Sequence, residues 1–309
     1  MMDNAVEVKE DLSLAFGVTL TKEQINRLNK DIVWMEERIV EGQKVLVPVV
    51  YLASLDTDNL KDGTQIIAGE DIALFASGTL QNQGKIEARN NLVLLSNDIQ
   101  NHGGTIEAKN DATLNSNTDI QNISGDIKAG NDLELNANNN INIKSSTNQK
   151  TFNYAQGYQT TTFKGKDATL NAGGNLKVNA GDSVTVQGSQ LQVQEDATII
   201  AKNGDVNIDA TQQKEKFDFD VYGGYYKGDS LKNNGSTVEV KNLTVLTNGN
   251  LNINGSTIKA QEDANIYANN VNITSTTDTS SSKYKSESKG FFSSSTTKQE
   301  KQTSQNIAL

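Results

Sequence analysis

The sequence contains no cysteine, one proline, one histidine and three arginines. Without cysteine the chain has no disulfide bond, no thiol nucleophile and no cysteine-type metal site. Hydrophobic residues make up 35% of the chain and aromatic residues only 6%. Because so few apolar residues cannot fill a wide globular core, we expect a narrow core that runs the length of the molecule.

Positive charge is also scarce. The net charge is −10, and the 25 lysines are spread along the sequence rather than gathered in one run. This balance argues against nucleic acid, and against an anionic membrane surface, as an electrostatic partner. The first stretch, MMDNAVEVKEDLSL, lacks the basic and apolar regions of a secretory signal peptide. No stretch reaches the roughly 20 apolar residues of a membrane-spanning helix, so we expect the chain to be an internal piece of a larger protein.

What the chain does contain is a repeat with a period of 20 to 21 residues. Four consecutive copies occupy 64–84, 85–104, 105–125 and 126–146. The last three copies carry the same residue at corresponding positions: Ile86, Ile106 and Ile127; Ala88, Ala108 and Ala129; Asn90, Asn110 and Asn131; Leu94, Leu114 and Leu135; Ile99, Ile120 and Ile141. Two later segments, GSQLQVQEDATIIAKNGDVNID and GSTIKAQEDANIYANNVNIT, match each other in the same way.

The pattern inside each copy is that of short β-strands. Apolar residues alternate with polar ones, which is the period of a strand with one buried face. Gly, Asn and Asp separate these runs, where turns need a positive φ angle or a local side-chain hydrogen bond. A unit of about 20 residues cannot bury its apolar face alone, but stacked units can bury it against one another.

The sequence therefore predicts an all-β fold, a right-handed parallel β-helix that forms a solenoid of ~20-residue coils. Eight or nine coils fit between residues 64 and 276. An antiparallel sandwich is the alternative, but it would not need a fixed period. The chain is rich in asparagine, which we expect to occupy left-handed turns and to form side-chain ladders between coils.

Residues 1–55 are predicted to form a small α+β cap, because an open end of the rod would invite aggregation. A helix is expected over LTKEQI, with Thr21 as its N-cap and Gln24 completing a capping box. Two β-rich runs on either side of Gly42 follow this segment, and they favour a β-hairpin over one long helix.

That hairpin is expected to pair residues 32–40 with 44–52. An apolar stripe that ends at Ile39 also fits the alternative of one long helix. Trp34, the single tryptophan, is expected to lie in the core rather than in a binding site.

Residues 56–276 are predicted to form the β-helix, with insertions at 147–166 and 211–234, and residues 277–309 a Ser/Lys-rich arm or tail. Each of these segments leaves the alternating pattern of the coils. The sequence FDFDVYGGYY, in the second insertion, suggests a hairpin arm that protrudes from the rod.

The three segments hold twelve of the sixteen Phe and Tyr residues: Phe152, Tyr154, Tyr158, Phe163, Phe217, Phe219, Tyr222, Tyr225, Tyr226, Tyr284, Phe291 and Phe292. Aromatic residues are enriched at interfaces and in membrane belts, so these twelve are candidate contacts with a membrane or a partner. The alternative is that the arms fold back and pack their rings on the flank of the rod.

Few residues are suited to catalysis. Some enzymes that cleave acidic polysaccharides are β-helices, but His102 is the single histidine and is expected at a turn. The carboxylate pairs Glu195-Asp196 and Glu262-Asp263 are adjacent in the chain, so their side chains point in opposite directions and make poor acid–base partners. No glycine motif for a nucleotide is present. We therefore predict no catalytic residue, no cofactor and no metal site.

The repeat IEARNNLVLLSNDIQNHGGTIEAKNDATLNS resembles the haemagglutinin repeats of filamentous haemagglutinin. It is most like the second repeat region of the exoproteins of contact-dependent growth inhibition. Residues 14–53 resemble the segment that precedes that region, and SSSKYKSESKGFFSSSTTK resembles the arms that interrupt it. The resemblance covers nearly the whole chain from Leu14 onward.

The resemblance implies a non-enzymatic module of a secreted surface filament that a Gram-negative bacterium exports by two-partner secretion. In the growth-inhibition exoproteins this region is held in the periplasm, and then helps a C-terminal toxin cross the outer membrane of a target cell. The implied partners are that outer membrane or a surface receptor, and other regions of the same exoprotein, with no nucleic acid. The alternative function is an adhesive or spacer stalk.

Overall fold

The structure, a computed structural model, describes residues 2–21, 24, 27–28, 32–40, 43–52, 64–221, 224–289 and 294–307. These residues form one helix, α1 (Met2–Asp11), and 32 strands in four sheets. The all-β fold predicted from the alternating pattern is therefore confirmed.

Eight coils of three strands each form a parallel β-helix. The first sheet contains β3 (Gln65–Ala68), β6 (Lys85–Ala88), β9 (Thr105–Ala108), β12 (Asp126–Ala129), β17 (Thr169–Ala172), β20 (Gln190–Val193), β25 (Thr237–Val240) and β28 (Thr257–Ala260). The second contains β4 (Ile72–Ala76), β7 (Leu92–Ser96), β10 (Ala112–Ser116), β13 (Leu133–Ala137), β18 (Leu176–Ala180), β21 (Asp196–Ala201), β26 (Asn242–Thr247) and β29 (Ala264–Tyr267). The third contains β5 (Thr79–Asn82), β8 (Asp98–His102), β11 (Ile120–Ile123), β14 (Ile141–Lys144), β19 (Val184–Gln187), β22 (Val206–Asp209), β27 (Asn250–Asn254) and β30 (Asn270–Thr274).

The register of the coils follows the repeat. Ile86 pairs with Ile106, and Ile106 pairs with Ile127, so each position lies directly over its equivalent in the next coil. All three side chains are buried, and the inward residues of the first seven coils join in one continuous apolar core, whereas Ile266, Val271 and Ile273 of the eighth coil are exposed. The 20-residue unit thus buries its apolar face against its neighbours, as the sequence predicts.

Asparagine ladders run between the coils. Inside the rod, the Asn82 amide donates to Asn101, and the Asn101 amide donates to Asn122, both over 2.8 Å. All three side chains are fully buried. The predicted ladders are therefore confirmed, but the predicted left-handed asparagines are wrong. Among the described non-glycine residues only Ser13 and Ser124 have a positive φ angle, because the amide is used to bridge coils rather than to close a turn.

A cap covers the N-terminal end of the rod. Strands β1 (Ile32–Val40) and β2 (Gln43–Leu52) form the predicted antiparallel hairpin, which excludes a single helix through Ile39. Strand β2 runs parallel to β4 and so extends the second sheet by two strands. Trp34 is buried in the cap, as expected.

The hydrogen bonds of the predicted capping box are present. The Thr21 amide donates to Gln24 Oε1 over 2.8 Å, and the Gln24 amide donates to Thr21 Oγ1 over 3.3 Å. Residues 22, 23, 25 and 26 lie outside the described residues. The helix α1 was not predicted, although Ala5, Val8 and Leu12 have the helical spacing of a buried face.

A buried carboxylate links segments within the cap, and a ring stack joins the cap to the first coil. Glu36 is fully buried and accepts hydrogen bonds from the Thr19 hydroxyl, over 2.8 Å, and from the Tyr51 hydroxyl. The Tyr51 ring stacks on Phe75 of β4 with 4.7 Å between centroids. The predicted boundary at residues 55 and 56 lies outside the described residues, and we keep this division of the chain as a proposal.

Three hairpins protrude from the rod, as predicted. Their strands are β15 (Thr147–Tyr154), β16 (Gly157–Lys164), β23 (Thr211–Val221), β24 (Gly224–Asn234), β31 (Thr276–Lys289) and β32 (Ser294–Ile307). Each hairpin also pairs with the next one, which gives a six-stranded antiparallel sheet in sequence order. We call this the arm sheet; its formation was not predicted.

Candidate interaction surface on the arm sheet

The arm sheet forms because of where the hairpins leave the rod. They follow the third strand of the fourth, sixth and eighth coils, so two coils separate one hairpin from the next. Two coils rise by about 9.6 Å, which equals the width of two strands. Each hairpin therefore reaches its neighbour at the spacing of a continuous sheet, and β16 pairs with β23 as β24 pairs with β31.

The corner at which the hairpins leave has a different backbone conformation in most of the coils that carry no hairpin. In four of the five coils that turn directly into the next coil, this corner has a positive φ angle, at Gly103, Ser124, Gly188 and Gly255; the first coil turns at 83–84 without one. The equivalent residues of the fourth, sixth and eighth coils are Ser145, Ala210 and Ser275, which do not have a positive φ angle. The chain there continues extended into an arm strand instead of closing the corner with a left-handed residue.

The strand register sorts the candidate aromatic residues by face. One row of neighbouring positions crosses the sheet through Tyr154, Gly157, Phe219, Tyr226 and Tyr284. Alternation along the strands places seven rings on this side: Phe152, Tyr154, Phe163, Phe217, Phe219, Tyr226 and Tyr284. We call it the aromatic face.

The opposite side, the polar face, carries Tyr158 and Tyr225. The other three predicted contacts, Tyr222, Phe291 and Phe292, lie outside the described residues. The sequence thus identified the aromatic set, but only the register shows that most of it shares one side.

The rings of the aromatic face contact one another. Ring centroids are 4.8 Å apart for Phe217 and Tyr226, 5.5 Å for Tyr154 and Phe219, and 6.3 Å for Phe217 and Phe219. Large fractions of the side chains are exposed: 55% of Tyr154, 43% of Tyr226 and 42% of Phe152.

The arm sheet is a single layer. Among the described side chains of its six strands only Thr211 and Asn233, at the base, are buried. The alternative in which the arms fold back and bury their rings on the rod is therefore wrong, because each hairpin pairs with the next hairpin instead.

Two glycines make room for the rings. Gly157 lies opposite Phe219, and Gly228 lies opposite Phe217, on the aromatic face. A Cβ atom at these glycines would come within 2.8 Å of Phe219 Cδ1 and 2.7 Å of Phe217 Cζ. Each ring lies across the glycine of the neighbouring strand, which packs the cluster and shields the glycine backbone.

The polar face is held by charged and hydroxyl pairs. The Lys283 ammonium lies 2.8 Å from Glu300, which raises the pKa of Lys283 by a hydrogen bond and by charge attraction. Lys227 lies over the Tyr225 ring, with 4.6 Å between its nitrogen and the centroid. These pairs are exposed, so each contributes little stability. Lys283 and Glu300 pair across β31 and β32, whereas Lys227 and Tyr225 lie on the same strand, β24.

The fold also concentrates positive charge in the arms. The segments 147–164, 211–234 and 276–307 hold 11 lysines and seven acidic residues, a net charge of +4. The whole chain has a net charge of −10, so the rest carries −14. Lysines that are dispersed in the sequence are thus gathered on one projecting sheet, which changes what the overall charge implies for partners.

The residues considered for catalysis have structural places. His102 ends strand β8 and does not lie in a turn. Glu195 accepts a hydrogen bond from Lys241 of the next coil, and Asp196 accepts one from Asn242, both over 2.8 Å. The described residues include no group of three His, Cys, Asp or Glu that could hold a metal ion, and no helix long and apolar enough to cross a membrane.

Comparison with known proteins gives consistent matches. The family model described as Hemagglutinin repeat matches residues 95–161, 153–221 and 217–291. Toxin CdiA of Yersinia pestis is 31% identical over 279 residues, which are 88% of this chain and 8% of that protein. Toxin CdiA of Escherichia coli is 30% identical over 228 residues, which are 73% of this chain and 7% of that protein.

Shorter matches are more similar. Deoxyribonuclease CdiA of Dickeya dadantii is 44% identical over 84 residues, which are 27% of this chain and 2% of that protein. The chain therefore spans less than a tenth of the length of these relatives. No solved structure matches the chain significantly.

Proposed function

The chain belongs to the haemagglutinin-repeat family, and from this premise we propose that it is a non-enzymatic module of a secreted cell-surface exoprotein. The module helps to deliver a C-terminal toxin across the outer membrane of a target cell in contact-dependent growth inhibition. The similarity to CdiA proteins over most of the chain supports this assignment. The toxin itself belongs to another part of such an exoprotein.

The observation that carries the proposal is the arm sheet. A rod that served only as a spacer would need stacked coils and an end cap, and no projecting sheet. Here three hairpins leave the rod at the spacing that joins them, and none of their described rings is buried. Exposed apolar patches of this kind mark contact sites with membranes or proteins. The arm sheet therefore serves as the contact between the exoprotein and the target envelope.

The location follows from the same proposal. The exoprotein is exported by two-partner secretion to the surface of a Gram-negative bacterium. This region waits in the periplasm until the target cell is engaged, and then meets the target outer membrane or a receptor on it. The other regions of the exoprotein are its remaining partners.

A structural role also fits the coils. Their polar side chains are used in ladders between coils, such as Asn136 to Asn115 over 3.0 Å and Asn252 to Asn207 over 2.8 Å. Side chains tied in this way rigidify the rod and are poorly placed to act on a substrate.

An adhesin or haemagglutinin stalk is the second candidate function. The uniform coils and the capped N-terminal end favour it, because a stiff rod holds other regions away from the cell. A stalk would keep its function when the arm rings are removed, which separates the two candidates.

The test uses the whole exoprotein in co-culture with target cells. Phe217, Phe219 and Tyr226 are replaced by serine, and a matched control replaces Tyr158 and Tyr225 on the polar face. We expect the first variant to reach the cell surface and attach to target cells but to lose growth inhibition, while the control inhibits normally. Full inhibition by both variants would support the stalk, and loss of attachment would indicate an adhesin.

A further inference from the structure

We infer that the aromatic face of the arm sheet docks on the surface of a lipid bilayer that carries anionic headgroups. The rings enter the headgroup boundary, and lysines beside them contact phosphates. This inference rests on the proposed function for its setting, and it assigns the contact to lipid rather than to a receptor protein.

Within the described residues, the arm sheet has no second layer of structure packed against it. A sheet normally buries one face against another layer of structure, but no described side chain of the arm sheet beyond its base is buried. The six strands are 8 to 14 residues long. At about 4.8 Å between strands and about 3.4 Å per residue they present roughly 1,100 Å² on the aromatic face. That area exceeds the about 800 Å² that one partner contributes to a stable interface.

The rings of the aromatic face suit the boundary of a lipid bilayer. The aromatic face combines phenylalanine rings with the hydroxyl-bearing rings of Tyr154, Tyr226 and Tyr284. Rings that are apolar at one end and polar at the other suit the boundary between headgroups and acyl chains. Long aliphatic side chains are nearly absent from this face, so the contact is with the boundary and not with the hydrocarbon interior.

The aromatic face also carries exposed lysines. By register, Lys150, Lys232 and Lys301 point to the aromatic side, and all three are exposed. None of them forms an ion pair within the described part of the chain. Two carboxylates share that side, and each is held by an amide: Glu215 by Gln159 over 2.6 Å, and Asp278 by Asn233 over 3.0 Å.

These charges select among the possible occupants. The aromatic face carries three lysines and two carboxylates, a net charge of +1, so two copies meeting by this face would bring like charge against like charge, which opposes a sandwich dimer. Anionic headgroups are complementary to these lysines, and the remaining +3 of the arms lies on the polar face. The −14 charge of the remaining chain is repelled by the same surface, so the rod stays away from the bilayer while the arm sheet lies on it.

The experiment is flotation of the purified full chain with two kinds of vesicle: phosphatidylcholine alone, and phosphatidylcholine mixed with phosphatidylglycerol. We expect binding to the mixed vesicles, weakened by salt, and little binding to phosphatidylcholine alone. Serine at Phe152, Tyr154, Phe217, Phe219 and Tyr226 should abolish it. Serine at Tyr158 and Tyr225, the matched control on the polar face, should leave it unchanged.

A second variant tests the charge term. Lys150→Gln, Lys232→Gln and Lys301→Gln should each lower the partition coefficient on the mixed vesicles by about fivefold. The matched control is Lys283→Gln on the polar face. Amide exchange across β16 and β23 checks that every variant keeps the arm sheet paired.

Each outcome decides the inference. The inference is overturned if the serine variants of the two faces lose binding equally. It is also overturned if the chain binds both kinds of vesicle equally, or binds neither. If vesicle binding is absent while the arm variant still loses growth inhibition in co-culture, a receptor protein is the partner and the proposed function stands. If vesicle binding is present but the arm variant inhibits normally, the lipid contact stands and the delivery role falls.

Discussion

Left-handed residues close most of the coil corners that carry no hairpin, and Gly188 is one of two such glycines that are closely surrounded by other atoms. Its φ angle is +57°, and a Cβ atom there would lie 2.4 Å from Thr211 Oγ1 and 2.5 Å from Ser145 Oγ. These two residues begin the second arm and end the fourth coil. We expect Gly188→Ala to lower the free energy of unfolding by about 3 kcal/mol, from backbone strain and overpacking together.

Gly103 provides the matched control for this prediction. It also has a positive φ angle, +74°, but no atom lies within 4 Å of an added Cβ. Gly103→Ala should therefore cost only the backbone term, about 1 kcal/mol. Urea titrations of both variants measure the difference. Equal losses of stability in the two variants would contradict a steric clash of the Gly188 position with Thr211 and Ser145.

Asn101 is the centre of the buried ladder. Its amide donates to Asn122 Oδ1 and to the Gly104 carbonyl, and its carbonyl oxygen accepts from Asn82. Asn101→Ala leaves two buried amide groups without these partners, and we expect a loss of about 3 kcal/mol in the free energy of unfolding.

Asn115 is the control on the outer surface, where it accepts a hydrogen bond from Asn136 over 3.0 Å. Because water can replace that contact, Asn115→Ala should lower the free energy of unfolding by less than about 1 kcal/mol. Thermal or urea unfolding of both variants measures the difference. A similar loss of stability at both positions would mean that burial does not determine how much a ladder hydrogen bond contributes to stability.

The asparagines also show what the sequence can predict at this scale. The ladders were predictable because Asn recurs at the period of the coil, as at Asn82, Asn101 and Asn122. The choice between a ladder and a left-handed turn was not predictable, since the same side chain suits both. The decision rests on whether another amide lies directly above it, which only the stacked coils reveal.

At the scale of elements, the root of the first arm is fixed by an ion pair. Lys166, just after β16, lies 2.5 Å from Asp126 Oδ2, and the Thr169 hydroxyl donates to Asp126 Oδ1 over 2.7 Å. Burial raises the pKa of Asp126, but the hydrogen bonds from Lys166 and Thr169 outweigh it, so that pKa lies below its usual value of 3.8.

Because the pKa of Asp126 is lowered, the contribution of its ion pair to stability depends on pH in one direction. The folded protein favours the ionised form, so the stability is present above the unfolded-state pKa and is lost as pH falls through the folded-state pKa. Asp126→Asn should cost about 1 kcal/mol at pH 7, because Lys166 is largely exposed, and the cost should shrink below pH 4. Urea midpoints of both proteins at pH 7, 5 and 3 measure it. A difference that is constant across this range would exclude the ion pair as its cause.

The hairpins themselves were predictable, but their assembly was not. Alternation of Phe217 and Phe219 before a glycine turn indicates a hairpin on local grounds. Pairing between hairpins depends on the rise of the two coils that separate them, which is a property of the folded rod. For the same reason the aromatic residues could be identified as a set, whereas their division into seven on one face and Tyr158 and Tyr225 on the other needed the register.

At the scale of the whole molecule, the rod sets the geometry of the sheet that projects from it. Stacked coils and paired arm strands have the same spacing. Between two coils that carry hairpins lies one coil without a hairpin, which closes at Gly188 or Gly255, and this coil provides the room that a two-stranded hairpin needs. The N-terminal coils bear no arms among the described residues, and the aromatic face begins only at the fourth coil. The molecule therefore combines a plain rod at one end with a contact surface along the other.

Removing one coil tests this coupling. Deletion of residues 169–189 joins Ala168 to Gln190 and keeps the core register, because β12 and β20 hold equivalent positions on either side of β17. The first two hairpins would then leave the rod about 4.8 Å apart, although each is about 9.6 Å wide. They cannot lie side by side, so we expect the pairing of β16 with β23 to be lost while the rod remains folded.

Deletion of residues 85–104 is the matched control, since it removes the second coil and leaves the spacing of the arms unchanged. Amide exchange at 157–161 and 215–219 measures the pairing, and circular dichroism measures the rod. Fast exchange in the first deletion and slow exchange in the control would establish that the coil rise holds the arm sheet together. Slow exchange in both would mean that the hairpins assemble without the rod, and that the contact surface owes its order to its own strands alone.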